Sequence, residues 1–267
     1  MAFGLIIIGD EILSGKRADK HFSTVVQLLS ARGLQLAWAE ILGDDPARIT
    51  ATLQRTLASG DTVFSCGGIG ATPDDHTRQC AAAALGVALV LHPEAKEKIR
   101  ERMQDTARES GIKPVYDAPD NMHRLKMGEF PIGASIIPNP YNKIPGFTVT
   151  GSSGAAHHFV PGFPVMAWPM IEWVLDTQYA HLFNQIARTE KSLLVFEVAE
   201  STLTPLMEEI EAACPLVKVF SLPSVGDVQT RRHIELGVKG DPQQVEFAFT
   251  RIMAELEAQR AEYQLVV

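Results

Sequence analysis

Residues 61–86 constrain the fold most. They run Asp-Thr-Val-Phe-Ser-Cys, then Gly67-Gly68-Ile69-Gly70-Ala71-Thr72-Pro73-Asp74-Asp75-His76-Thr77, then Arg-Gln-Cys-Ala-Ala-Ala-Ala-Leu-Gly. An apolar run of strand length, a glycine-rich turn and an alanine-rich helical stretch in that order make a strand–turn–helix unit of a layered α/β fold. Gly67, Gly68 and Gly70 permit positive φ and let the main chain approach a ligand closely. With a helix beginning near residues 72–75, the turn's free amides and the positive end of the helix dipole predict an anion site of phosphate size.

Asp74 and Asp75 sit in that site. A phosphate beside two carboxylates needs a cation between them, and magnesium, which binds through one or two carboxylates plus phosphate oxygens, fits the requirement. Helix capping is the alternative reading; it accounts for one aspartate well and for both less well.

Apolar runs at 3–8, 35–42 and 61–66 alternate with helical stretches at 21–32, 47–59 and 74–85. Alternation of this kind predicts a mostly parallel sheet with helices on both faces, whose ligands bind beyond the carboxyl ends of the strands. Three acidic loops occupy those ends: 9–19, 43–45 and 67–75. Residues 92–111 read as an amphipathic surface helix, 134–137, 147–150 and 157–160 as further strands, and 166–177 as a helix with Pro169 near its start. From 189 the pattern becomes β-α-β-β-α with a last strand at 264–267, a small α+β split βαβ unit. The expected domains are therefore 1–177 and 189–267. Gly237-Val-Lys-Gly240 spells a KH-type loop, but at the end of a strand it reads as a simple turn.

Composition narrows the function classes. A net charge of −8 disfavours nucleic acid as a partner. The apolar run at 3–8 is too short to cross a bilayer and has no basic region before it, so a cytoplasmic protein is expected. Cys66, Cys80 and Cys214 lack metal-type spacing, and Cys66 and Cys80 read as small core residues. Adjacent His157 and His158 point to opposite strand faces and are ill placed to share an ion. Asn142 and Lys143, in a proline-glycine loop, are candidates for phosphate or ribose contact, with solvation as the default.

Gly9-Asp10-Glu11-Ile-Leu-Ser14-Gly15, Gly43-Asp44-Asp45 and the 67–77 turn resemble the amino-terminal half of the competence/damage-inducible CinA family, which has the MoaB/Mog molybdopterin-binding fold. Met127-Gly-Glu-Phe-Pro-Ile-Gly-Ala134, Asn139 with Pro145-Gly-Phe147, and Val160-Pro161-Gly162-Phe-Pro164 follow the same order. The resemblance implies that the turn holds a terminal phosphate, of molybdopterin or of an adenine nucleotide such as ADP-ribose. It implies a divalent metal, magnesium or another, on Asp75 and on Asp45 or Asp44; a neighbouring carboxylate, Asp74 or Asp10, is then the candidate catalytic group to accept the proton of an attacking water, and like charges in one cleft leave the base unassigned between them. Ligand contacts are implied for Gly67, Gly68, Ile69, Gly70, Ala71, Thr72, Glu11, Ser14, Gly15, Asn139, Pro161 and Gly162, and a homo-oligomer is expected. Both ADP-ribose pyrophosphate cleavage and molybdopterin adenylylation belong to relatives of this fold, and a pterin- or nucleotide-binding module without turnover is the alternative. The chain departs from the family in having His21 where asparagine is usual, Ala71 in place of proline, and no match to the nicotinamide-nucleotide amidase half. His21 is a candidate for contact with a base or phosphate, with a helix cap or surface position as the default.

Overall fold

The computed structural model describes residues 2–111, 115–116, 118–185, 189–226 and 230–266. Two compact units emerge, Met1–Phe183 and Asn184–Val267.

The first unit runs β1 (Phe3–Ile8), α1 (Asp10–Leu13), α2 (His21–Ser30), β2 (Leu36–Leu42), α3 (Pro46–Ser59), β3 (Thr62–Cys66), α4 (Thr77–Leu85), β4 (Leu89–Leu91), α5 (Pro93–Ser110), α6 (Pro119–Leu125), β5 (Glu129–Pro131), β6 (Ser135–Ile137), β7 (Gly146–Thr150), β8 (Ala156–Val160) and α7 (Pro164–Gln178). Six strands form one sheet in the order β2-β1-β3-β8-β7-β6, and β4 pairs separately with β5. β1 is parallel to β2 and β3, and β3 to β8; β7 is antiparallel to both its neighbours. This is the mostly parallel α/β architecture expected from the alternating pattern.

β1 and β3 are buried along their whole length, as central parallel strands covered on both faces must be. Leu5, Ile7, Phe64 and Val160 pack with Val25 and Leu29 of α2 and with Met170 and Val174 of α7. On the opposite face Ile6, Ile8, Val63 and Phe159 join Ile49 and Leu53 of α3, Ala81 of α4 and Ala95 of α5. Pro169 lies well inside α7, not near its start, because the helix begins at Pro164; one backbone hydrogen bond is forgone there.

His157 and His158 do face opposite ways, and both are core residues. His157 Nε2 pairs with Thr56 Oγ1 at 2.9 Å; the His158 ring joins Thr148 Oγ1 and the Tyr179 hydroxyl, each at 2.8 Å. Burial lowers the pKa of His157 to about 4 and of His158 to about 3.

The second unit runs β9 (Thr189–Phe196), α8 (Glu200–Ala213), β10 (Val217–Ser224), β11 (His233–Gly240), α9 (Pro242–Ala258) and β12 (Tyr263–Leu265), with sheet order β10-β11-β9-β12. β11 lies between β9 and β10, as in a split βαβ arrangement. The final strand ends at Leu265; residue 267, included in its expected span, is outside the described residues. Gly237–Gly240 is paired strand on both sides and forms neither a turn nor a KH loop. Gly237 is there for room: a Cβ would lie 2.2 Å from the Phe220 ring.

Candidate functional site

The parallel register brings the carboxyl ends of β2, β1, β3 and β8 to one edge of the sheet. The loops beginning at Gly9, Gly43, Gly67 and Pro161 leave from that edge, the place where ligands bind in open α/β sheets.

The glycine turn is locked from within. Gly67 has φ +112° and Gly68 φ +69°. A Cβ on Gly67 would lie 2.2 Å from the Ile8 carbonyl oxygen, one on Gly68 2.1 Å from Thr77 Oγ1, and one on Gly70 2.5 Å from Asp75 Oδ2. These glycines therefore let the turn pack against its own supports, a requirement additional to any ligand approach. The Gly67 amide donates to the Val160 carbonyl at 3.0 Å. The next four amides, of Gly68, Ile69, Gly70 and Ala71, find no protein acceptor among the described residues. Unpaired amides in succession at a strand–helix turn form a concavity for an oxyanion.

Helix α4 starts at Thr77, later than expected, and neither Asp74 nor Asp75 caps it. Asp75 closes the turn instead: its Oδ2 accepts from the Thr72 amide at 2.8 Å and from the Thr72 hydroxyl at 2.5 Å. Thr77's amide donates to the Gly68 carbonyl at 3.0 Å, so the first amide of α4 is spent on the turn. Asp74 is exposed.

Acids of the three loops converge on Asp44. The Asp10 amide donates to Asp44 Oδ2 at 2.9 Å, and the Asp44 amide to Asp10 Oδ1 at 3.2 Å. Burial, then the negative charges of Asp10, Glu11 and Asp74, push the Asp44 carboxyl above its ordinary range, against the pull of the hydrogen bond from Asp10. Among the described residues none of Asp10, Glu11, Asp44, Asp74 or Asp75 is in an ion pair. Asp45 is differently employed. It caps α3 by accepting from the Ala47 amide at 2.9 Å and approaches Arg48 at 3.8 Å, which explains its place before Pro46.

Other expected ligand contacts divide. Gly162 lies against Gly67, where its Cβ would be 3.4 Å from the Gly67 Cα, so the Pro161–Gly162 loop belongs to the site. Ser14 and Gly15 are exposed at the end of α1, with nothing within 4 Å of the place a Gly15 Cβ would take. Asn139 is buried, and its amide is consumed by its own loop: Nδ2 donates to Asn142 Oδ1 and the Ile144 carbonyl, and Oδ1 accepts from the Tyr141 amide. It lines a separate cleft of about 550 Å³ with Ile136, Pro138, Lys143, Pro169 and Trp173, which contains none of the glycine turn. Lys143 pairs with Asp105 at 2.6 Å and Glu101 at 3.8 Å of α5.

Of two further residues at the site, the sequence singles out His21 and gives no sign of Arg78. His21 is buried, not a surface or cap histidine; its Nε2 is 3.0 Å from the Gly162 carbonyl oxygen and its Nδ1 has no partner among the described residues. Arg78 is only 3% exposed and donates Nη2 to the Gly70 carbonyl at 2.7 Å and Nη1 to the Lys126 carbonyl. Cys66, adjoining the turn, is fully buried, and its thiol is pushed up by that burial and by Asp19, as befits the core residue expected from the sequence.

Residues 4–181 match the family model described as "Probable molybdopterin binding domain". The chain belongs to that family. The molybdopterin-binding domain thus spans every loop of the site. CinA-like proteins are among its relatives: one from Anaeromyxobacter sp. (strain K) is 32% identical over 216 residues, covering 78% of this chain and 49% of that protein. One from Mycobacterium tuberculosis (strain ATCC 25177 / H37Ra) is 30% identical over 245 residues, covering 90% and 55%. The chain spans about half the length of these curated relatives. Among solved structures, the protein CinA of unknown function from Thermoplasma acidophilum superposes with a TM-score of 0.55 at 25% identity, over 66% of this chain and 96% of that one.

Proposed function

We propose that the molybdopterin-binding domain holds the phosphate end of a pterin or adenine-nucleotide ligand on the 67–77 turn and acts on its phosphoanhydride with magnesium. The observation that carries this reading is the adjacency of two features: four successive amides without protein acceptors and a group of carboxylates without basic partners. Amides attract the phosphate; unpaired acids on the same edge need a cation.

The residues present fit a divalent ion held partly by ligand. Asp44 and Asp10 would hold it, with phosphate oxygens and water completing the shell. Asp44 suits the second-loop role better than Asp45, whose carboxylate is engaged at the start of α3. When bound, such an ion supplies neutralisation of phosphate charge and acidifies a coordinated water. Asp75 fixes the turn by accepting from Thr72 with one of its two oxygens. Pyrophosphate hydrolysis of an ADP-ribose-like substrate and adenylyl transfer to molybdopterin both use this arrangement of groups.

A binding module without turnover is the second reading. In its favour, no group of three or more His, Cys, Asp or Glu side chains forms a ready metal cage among the described residues. Calorimetric titration of the protein with ADP-ribose, ATP and molybdopterin, with and without magnesium, and product analysis of the same mixtures separate the two. Asp75→Asn retains an acceptor for Thr72 while removing the charge, so an enzyme loses turnover and keeps ligand binding. Tight retention with no product in any mixture leaves the module reading. Absence of any magnesium-dependent binding refutes the proposal.

A further inference from the structure

Three carbonyls of the glycine turn are gripped by the first two residues of α4. The Gly67 carbonyl accepts from Thr77 Oγ1 at 3.1 Å, the Gly68 carbonyl from the Thr77 amide at 3.0 Å, and the Gly70 carbonyl from Arg78 Nη2 at 2.7 Å. Every described peptide bond is trans, and in a trans unit the N–H points opposite to the C=O. Holding those three carbonyls toward α4 therefore turns the amides of Gly68, Ile69 and Ala71 away from it. These are three of the four amides without a protein acceptor.

Arg78 does more than hold one carbonyl. It bridges the turn to the Lys126 carbonyl, lies in the field of Glu129 and Asp75, and leaves its Nε without a partner although the side chain is 3% exposed. A guanidinium keeps its charge even when buried. Its charge lies behind the Gly70–Ala71 peptide, on the side opposite the Ala71 N–H, and favours an anion in front.

We propose that Thr77 and Arg78 are the positioning residues of an oxyanion cradle, orienting the amides of Gly68, Ile69 and Ala71 toward a ligand phosphate that Arg78 attracts from behind the turn. The inference rests on the phosphate-binding reading given above. It adds the residues that build the cradle, and neither touches the ligand.

The test uses AMP, ADP-ribose and inorganic phosphate as probes, with binding measured by calorimetry and by the backbone amide resonances of the full chain. Thr77→Val removes the hydroxyl at nearly constant shape; Thr77→Ser restores it. Arg78→Met removes the charge; Arg78→Lys keeps it with fewer donors. The wild type is expected to show its largest phosphate-induced shifts at Gly68, Ile69 and Ala71. Thr77→Val and Arg78→Met should bind about tenfold more weakly, as loss of one charge-assisted or cradle-setting hydrogen bond implies. Thr77→Ser should bind within about threefold of wild type, and Arg78→Lys between wild type and Arg78→Met. Melting curves identify any variant that fails to fold; the amide shifts of the wild type, and whichever of Thr77→Val and Arg78→Met folds, then carry the test. If the wild type binds no probe, the phosphate reading itself falls and this assignment with it. If it binds while folded Thr77→Val and Arg78→Met bind equally well, or with shifts confined to other amides, the phosphate reading stands and the positioning role is overturned.

Discussion

Asp10 and Asp44 exchange hydrogen bonds, each amide donating to the other's carboxylate at 2.9 and 3.2 Å. The clasp ties the loop after β1 to the loop after β2 and holds two like charges together. Its neighbours Glu11 and Asp74 add to the repulsion that raises the Asp44 carboxyl. A folded-state pKa raised in an acid makes that group's contribution to stability fall as pH rises above the ordinary carboxylate range. Asp44→Asn is therefore expected to leave the metal-free protein as stable at pH 7 as wild type or more so, and to abolish stabilisation by magnesium. Thermal unfolding with and without magnesium chloride checks both halves.

Asp45 should behave differently from its neighbour. Its carboxylate caps α3, so Asp45→Ala is expected to cost about 1 kcal/mol of stability while the response to magnesium survives. Denaturant unfolding of the Asp44 and Asp45 variants side by side tells a cap from a cation ligand. Equal loss of magnesium response in both would contradict the separation of roles.

Gly68 and Gly15 share a left-handed backbone, with φ +69° and +70°, but not surroundings. Gly15→Ala meets open space and should cost only the backbone term, about 1 kcal/mol. At Gly68 the new methyl would collide with Thr77 Oγ1; Gly68→Ala should cost roughly 2–4 kcal/mol by adding overpacking to that term. Urea titrations of the two single variants measure the difference directly.

His157 and His158 make the fold acid-sensitive. Each is buried neutral with a folded pKa of about 4 and about 3, against an ordinary value of 6.5. The unfolded chain then binds more protons than the folded one between those limits, so stability rises with pH; it is fully present above about 6.5 and declines as pH falls toward 3–4. Unfolding free energy measured at pH 7 and pH 5 should differ by about 2 kcal/mol per histidine, and His157→Gln should flatten the slope. A profile that is flat over that interval in the wild type would show that both rings titrate in the fold as they do in the unfolded chain.

Much of the architecture was readable from local pattern. The apolar runs at β1 and β3 and their spacing from α2, α3 and α4 are enough for a mostly parallel sheet, since period and turn chemistry are short-range signals. The start of α4 is not legible in the sequence, because Asp75 closes the turn onto Thr72 through a side-chain bond that composition does not reveal. Arg78 looks like an ordinary charged residue on an alanine-rich helix; what buries it is a carbonyl 48 residues away. His21 is buried through a partner 141 residues distant, at Gly162. Asn139, a ligand contact implied by the resemblance, has its carboxamide bonded within its own loop, to Asn142, the Ile144 carbonyl and the Tyr141 amide, which the sequence does not reveal. The acids were legible as a set of loops, and their division into a clasp, a cap and a turn lock was not.

Where Gly162 meets Gly67 two crossovers face each other with no side chain between them. The approach of these two loops is consequently set by main chain alone and does not respond to a change of rotamer. Substitution at exposed neighbours such as Thr72 or Phe163 leaves this backbone contact in place, and changing it means shifting the loops that follow β3 and β8.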